Sequence, residues 1–213
     1  MAYLGEPVPT VPQPPPSDHR DRPGPWLFDH RGADAAGAPA GAVLFGRDGA
    51  LLQDVSCNGD PAMVHPMAGV RAALAALRAA GFALGVVSNQ PGVARGLIGL
   101  DQVEAVQARA ETLLGPLDVW AVCPHGSHED CGCRMPAPAL VTAACRALGL
   151  PPARVTVIGC SDEVATAAMA AGAHAIRLPV AAPRTNTGCP PCTLTICRTA
   201  DDPELAADLL LRR

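Results

Sequence analysis

A chain of 213 residues has room for one domain with a sizeable core plus an extension. Its formal charge of −4 and pI near 5.8 give no basic footprint for nucleic acid, no apolar run approaches the roughly 20 residues that cross a bilayer, and the N-terminus lacks the basic-then-apolar order of an export signal. The expected class is a cytoplasmic protein without nucleic-acid or membrane partners. With 49% hydrophobic but only 3% aromatic residues, its core must be built from Ala, Val and Leu.

Residues 1–40 read as a separate N-terminal extension and 41–213 as the domain. Eight prolines lie between Pro7 and Pro25, and the charged run Asp18–Arg22 sits among them. Such a segment buries too little apolar surface to offset its ordering entropy, and it favours polyproline II locally. A solvated, flexible extension is expected, with docking to a proline-reading protein as the alternative. Trp26, Leu27 and Phe28 form a small apolar knot able to pack back on the domain.

From Gly41 the pattern changes. Ala42–Phe45 reads as a buried strand, ending in the turn Gly46-Arg47-Asp48-Gly49. Residues 69–80 are a helix stopped by Gly81, and Ala83–Val87 a second strand. Asp101 and Glu104 have capping-box spacing and open a helix to about Leu114. Val119–Val122 is a third strand. Pro138–Leu148 is a helix closed by Gly149, Val155–Ile158 a fourth strand, residues 162–171 a helix closed by Gly172, and Ala175–Leu178 a fifth strand. Thr193–Cys197 is expected as an edge strand, and Asp202-Pro203 starts a terminal helix. Strands alternating with helices imply right-handed crossovers and a mostly parallel sheet covered on both faces.

The third strand leads straight into Cys123-Pro-His125-Gly-Ser-His128-Glu-Asp-Cys131-Gly-Cys133-Arg134. Cys123, His125, Cys131 and Cys133 supply the thiolates and imidazole that close a tetrahedral structural zinc site. His128 is a competing ligand, and a surface loop merely rich in cysteine is the plainer alternative. An odd count of nine cysteines, clustered in this way, favours metal binding and free thiols over a disulfide framework. Cys189-Pro-Pro-Cys192 with Cys197 has redox or metal spacing but no evident fourth ligand. Surface thiols, or a disulfide formed on oxidation, are expected there. Cys57 and Cys145 read as structural.

In an open parallel sheet, ligands bind beyond the carboxyl ends of the strands. Gly46 and Asp48 lie there after the first strand, Ser88, Asn89 and Gln90 after the second, Arg134 in the loop after the third, and Gly159, Cys160 and Ser161 after the fourth. Read together, LFGRDGALLQDV (44–55), NGDP (58–61), VVSNQPGVARG (86–96), CPHGSHEDCGCRMPAP (123–138) and VIGCSDEVATAAMAAGA (157–173) resemble the haloacid dehalogenase superfamily of phosphatases. The group most resembled is the D-glycero-D-manno-heptose 1,7-bisphosphate phosphatases, with histidinol-phosphate phosphatases as near relatives.

The resemblance implies a Rossmannoid three-layer α/β sandwich with a minimal cap and a zinc-binding loop. It also implies an aspartate nucleophile directly after the first strand, a second aspartate two residues on that protonates the leaving group, a Ser or Thr after the second strand that holds the phosphoryl oxygens, a lysine that neutralises them, and a Mg²⁺-binding aspartate after the fourth strand. A carboxylate attacks phosphorus only when metal and lysine relieve the charge repulsion.

Here the nucleophile position is Gly46, the lysine position Met135 and the metal-carboxylate position Cys160, with Ala50 and Val164 in place of a further Thr and acid. Asp48, Ser88, Asn89 and Arg134 are retained, the first as acid/base and the others as substrate-binding residues. The expectation is a lost Mg²⁺ site, impaired turnover and a surviving pocket for a phosphorylated sugar or other small anion, in which Asp48 faces Arg134. A thiol is too soft for Mg²⁺, although Asp162 or Glu163 is a candidate surrogate ligand. Two alternatives stand: an active hydrolase with a rewired site, in which Asp48 activates water or Cys160 is the nucleophile, and an interaction module working through the proline-rich extension. Cys160 is otherwise a buried, inert thiol. Arg95 is a phosphate-side residue by resemblance or a solvent-exposed helix arginine.

Overall fold

The computed structural model describes residues 24–31, 39–179 and 197–212. Seven strands form one sheet: β1 (Trp26–Asp29), β2 (Gly41–Gly46), β3 (Phe82–Asn89), β4 (Val119–Cys123), β5 (Val155–Gly159), β6 (His174–Arg177) and β7 (Cys197–Thr199). Their order across the sheet is β1-β4-β3-β2-β5-β6-β7. Every neighbouring pair is parallel except β1 with β4. All residues of β2, β4 and β5 are buried, which is why they read as apolar runs, broken in β5 only by Thr156.

The helices are α1 (Val70–Ala79), the short α2 (Pro91–Ala94), α3 (Leu100–Leu114), α4 (Ala139–Leu148), α5 (Asp162–Ala170) and α6 (Pro203–Leu211). Successive residues of a strand face opposite sides, and β2 shows this directly. Val43 and Phe45 pack with Leu74 and Leu77 of α1, Val106 and Ala110 of α3 and Ala206 of α6. Ala42 and Leu44 pack with Leu140, Val141 and Ala144 of α4 and Ala165 and Ala168 of α5. The result is three layers, helix–sheet–helix. Between β2 and α1 the chain forms only turns, isolated bridges and one 3₁₀ turn at Pro61–Met63, so any cap here is minimal.

Three expectations change in detail. The sheet begins ahead of residue 41: the knot Trp26–Phe28 is a strand, paired in the register Trp26↔Val122 to Asp29↔Val119. Helix α3 is capped two residues earlier than the Asp101/Glu104 spacing suggests, because Gly99 is the cap residue and its N–H donates to the Gln102 side chain at 2.9 Å. Asp101 then lies in the first turn, where its charge suits the helix dipole. The last strand is Cys197–Thr199; residues 193–196 lie outside the described residues, as do Cys189, Cys192 and the proline-rich segment 1–23. No helix among the described residues is long and apolar enough to cross a membrane.

Candidate functional site

The carboxyl ends of β2, β3, β4 and β5 converge as the alternation of elements requires. Gly46 is the last residue of β2, and a Cβ built on it meets nothing closer than 3.6 Å. The position is therefore roomy enough for a side chain and carries none. The next residue, Arg47, is buried, and its Nε donates to both carboxylate oxygens of Asp48 at 3.0 and 3.1 Å. Gly49 takes φ of +77°, a conformation that favours glycine, and Cys160 Sγ lies 2.5 Å from where its Cβ would be. The Cys160 thiol donates to the Asp48 carbonyl at 3.4 Å, so the turns after β2 and β5 are packed against each other by a sulfur.

The ion pair expected between Asp48 and Arg134 is not what forms. Asp48 pairs with its neighbour Arg47, and Arg134 Nη1 reaches the His125 carbonyl at 3.5 Å. Burial raises the Asp48 pKa above the usual carboxylate value and the charge of Asp54 adds to this, against the opposing pull of Arg47 and Gln90. Burial also pushes the Cys160 thiol up, reinforced by Asp54 and Asp48, with Arg177 acting the other way. Met135, at the lysine position, is buried in the apolar cluster beneath α4 and α5.

Two residues at the end of β3 organise this region. The buried Gln90 donates through Nε2 to Ser88 Oγ at 2.7 Å and to Asp48 Oδ2 at 3.2 Å. A Ser88 hydroxyl that accepts from Gln90 keeps its own proton for donation to a ligand oxygen. Asn89 forms a two-point clamp on the backbone of Met135, accepting from its N–H at 3.0 Å and donating to its carbonyl at 3.1 Å. A more distant approach of 3.5 Å links Asn89 Nδ2 to Glu163. Asn89, read from sequence as a substrate contact, thus spends its amide on the loop that carries Arg134. Arg47 was not singled out by the sequence, and Gln90 was placed at the strand end without a role. Their only signal was position, inside the strand-end segments themselves.

The four loop residues come together as the spacing required. Cys123 ends β4, and Cys123 Sγ, His125 Nδ1, Cys131 Sγ and Cys133 Sγ all lie within 4.8 Å of one another. The sulfur separations are 3.3, 3.7 and 3.8 Å, and His125 Nδ1 is 3.5 and 3.2 Å from Cys123 and Cys133. A zinc tetrahedron with bonds of about 2.3 Å to sulfur and about 2.0 Å to nitrogen has ligand separations of roughly 3.5–3.8 Å. The donor set and its spacing fit that ion. Burial pushes the Cys123 and Cys133 thiols up, so each gives up its proton only to a partner that favours thiolate, as Zn²⁺ does. His128 is exposed and outside this cluster.

The remaining candidates are accounted for by packing. Asp162 sits 3.1 Å from Arg177, and Glu163 is exposed with its carboxylate 3.5 Å from Asn89 Nδ2. Arg95 is exposed, donating to Cys57 Sγ at 2.8 Å and to the Pro91 carbonyl at 3.4 Å. Cys145 is buried, which pushes its thiol up to about 11, as befits an inert core residue.

A family model described as haloacid dehalogenase-like hydrolase matches residues 27–174. The D-glycero-beta-D-manno-heptose-1,7-bisphosphate 7-phosphatase of Pseudomonas putida is 35% identical over 115 residues, which is 52% of this chain and 66% of that enzyme. The chain therefore spans just under two thirds of that relative's length. The enzyme of the same name from Bordetella bronchiseptica is 30% identical over 137 residues, covering 61% of this chain and 75% of its own. Among solved structures, the B. bronchiseptica D,D-heptose 1,7-bisphosphate phosphatase complexed with magnesium and phosphate superposes with a TM-score of 0.69 at 27% identity, covering 80% of this chain and 98% of that one. The order of the strands, the convergence of their carboxyl ends and a match running through most of the sheet place this chain in the haloacid dehalogenase-like hydrolase family.

Proposed function

We propose that the protein is a sugar-phosphate phosphatase homologue that binds a phosphorylated sugar or another small anion and has lost most or all of its turnover. The observation that carries this reading is the turn after β2. Gly46 offers no nucleophile, and the carboxylate that remains, Asp48, is held by Arg47 at 3.0 and 3.1 Å.

Mg²⁺ does not fit these residues. It prefers several hard oxygen ligands, whereas here one carboxylate is engaged by a guanidinium and the group after β5 is a thiol. No step is therefore assigned to it. Zinc does fit Cys123, His125, Cys131 and Cys133, where it supplies structural cross-linking of the loop after β4.

Binding needs fewer parts than turnover. Ser88 supplies a hydroxyl donor oriented by Gln90. Arg134 lies on the adjoining loop as a further cation. Purified protein supplied with Mg²⁺ is expected to release no phosphate from heptose bisphosphate, histidinol phosphate or an aryl phosphate. Calorimetric titration is expected to detect phosphate binding that Ser88→Ala weakens. Turnover within a few orders of magnitude of an ordinary phosphatase overturns the reading.

The rewired-enzyme alternative draws little support from Cys160, because burial and two nearby carboxylates keep its thiol protonated and a poor nucleophile.

A further inference from the structure

The loop holding the Cys/His cluster and the residues around Asp48 meet at the end of β3. Cys123 is paired in register with Asn89 across β4 and β3, and its carbonyl accepts from the Gln90 N–H at 2.7 Å. The returning half of the loop is fastened by the side chain of Asn89, which holds Met135 through both its N–H and its carbonyl, two residues beyond the ligand Cys133. Gln90, the next residue, holds Ser88 and Asp48. Three consecutive residues thus face two ways, with Ser88 and Gln90 on the side of Asp48 and Asn89 toward the metal loop. The amide oxygen and an N–H of Asn89 are both engaged by the backbone of one residue, Met135, so Asn89 serves as a fastener of the loop.

We propose that Asn89 is the positioning residue through which the zinc-loaded loop presets the anion pocket, so that zinc at Cys123, His125, Cys131 and Cys133 and an anion beside Ser88 bind cooperatively. This rests on the anion-binding reading above. A loop of this length gains its shape from its metal. Once it is shaped, Met135 is held where Asn89 grips it, and Arg134 and the end of β3 are fixed together. Binding linkage is reciprocal, so a bound anion tightens zinc by the same factor as zinc tightens the anion.

The test uses the full chain loaded with zinc. Zinc affinity is measured by competition with a chelator, with and without saturating inorganic phosphate, and phosphate affinity is measured by calorimetry on the loaded protein. In the wild type, phosphate is expected to tighten zinc by at least about fivefold, within the usual range of coupling between sites. Asn89→Ala is expected to retain one zinc per chain while this factor falls toward one. Asn89→Asp keeps the acceptor for the Met135 N–H but loses the donor to its carbonyl, so it serves as the milder variant should alanine fail to fold; its coupling factor is expected to fall as well.

A wild type that binds phosphate with unchanged zinc affinity overturns the proposal alone. So does full coupling in a folded Asn89 variant. A zinc-loaded wild type that binds no phosphate overturns the anion pocket itself and the coupling with it.

Discussion

Asp48 is the residue on which charge and function meet. Its carboxyl is 27% exposed, yet burial outweighs the attraction of Arg47 and leaves its pKa above the ordinary 3.8. The folded state therefore holds that proton more tightly than the unfolded chain does. Over the window from 3.8 upward to the raised value, native Asp48 carries more protons than unfolded Asp48, and its contribution to stability is present below the window and lost as pH rises through it. The difference in melting temperature between wild type and Asp48→Asn is accordingly expected to move against the wild type as pH rises across this range. Loss of zinc in acid affects both proteins and cancels in the difference.

A reconstruction tests the missing groups at the same scale. Gly46→Asp fits sterically, since a Cβ there finds its nearest neighbour at 3.6 Å, but alone it is expected to restore little activity because the thiol at 160 remains. Gly46→Asp with Cys160→Asp and Met135→Lys brings new carboxylates close to Asp48, an arrangement favoured only with a dication. Measurable phosphate release is expected from the triple variant, together with a melting temperature that rises on adding Mg²⁺; the wild type is expected to show neither. Met135→Lys places an ammonium in an apolar cluster, so the variant is expected to be less stable than wild type in the absence of metal.

At the scale of elements, the contrast between β1 and β2 shows what a sequence can reveal. β2 reads clearly because both of its faces are covered, so every residue is apolar or glycine. β1 has four residues, a mixed burial pattern and prolines before it, and its identity comes from pairing with β4, a partner about ninety residues away. The Cys/His cluster was legible because its ligands are local, packed into eleven residues at fixed spacing. The Arg47–Asp48 pair and the grip of Asn89 on Met135 were not, since each depends on where a side chain turns after the strands are assembled. The α3 cap shows a subtler limit: two overlapping start signals were present, and the chain uses Gly99 with Gln102.

β1 also bears on where the chain can be shortened. Trp26 is buried against Val103 and Val122, and Phe28 packs beside it. Trp26→Ala is expected to cost roughly 3–5 kcal/mol, as large aromatic deletions from cores do. Denaturant unfolding checks this, with the loss visible in the midpoint. A truncation at residue 40 removes the whole strand and is expected to be far more damaging than one ending at residue 23, so partner recruitment by the proline-rich segment is properly tested with the shorter cut.

For the whole molecule, the aromatic-poor core and the position of the Cys/His loop make zinc a question of stability. Cys123 belongs to both the sheet and the metal cluster, and Cys133 to both the cluster and the core beneath α4. An ion held by these groups ties the end of β4 to the start of α4. Structural zinc contributes about 10–16 kcal/mol of apparent binding free energy in small peptides, so loss of one ligand is expected to remove several kcal/mol. Cys131 is the suitable ligand to change, because it is only half-buried and serine replaces it with little loss of packing. For a chain of this size each kcal/mol moves the melting temperature by roughly 2–4 °C. Cys131→Ser is thus expected to melt on the order of 10 °C lower and to bind less zinc. His125→Ala is expected to behave likewise, and His128→Ala to keep the full zinc content, because its imidazole lies outside the cluster. Elemental analysis beside each melting curve separates the two histidines. An unchanged melting temperature in Cys131→Ser at full zinc content in the wild type would show that the loop is held by packing alone.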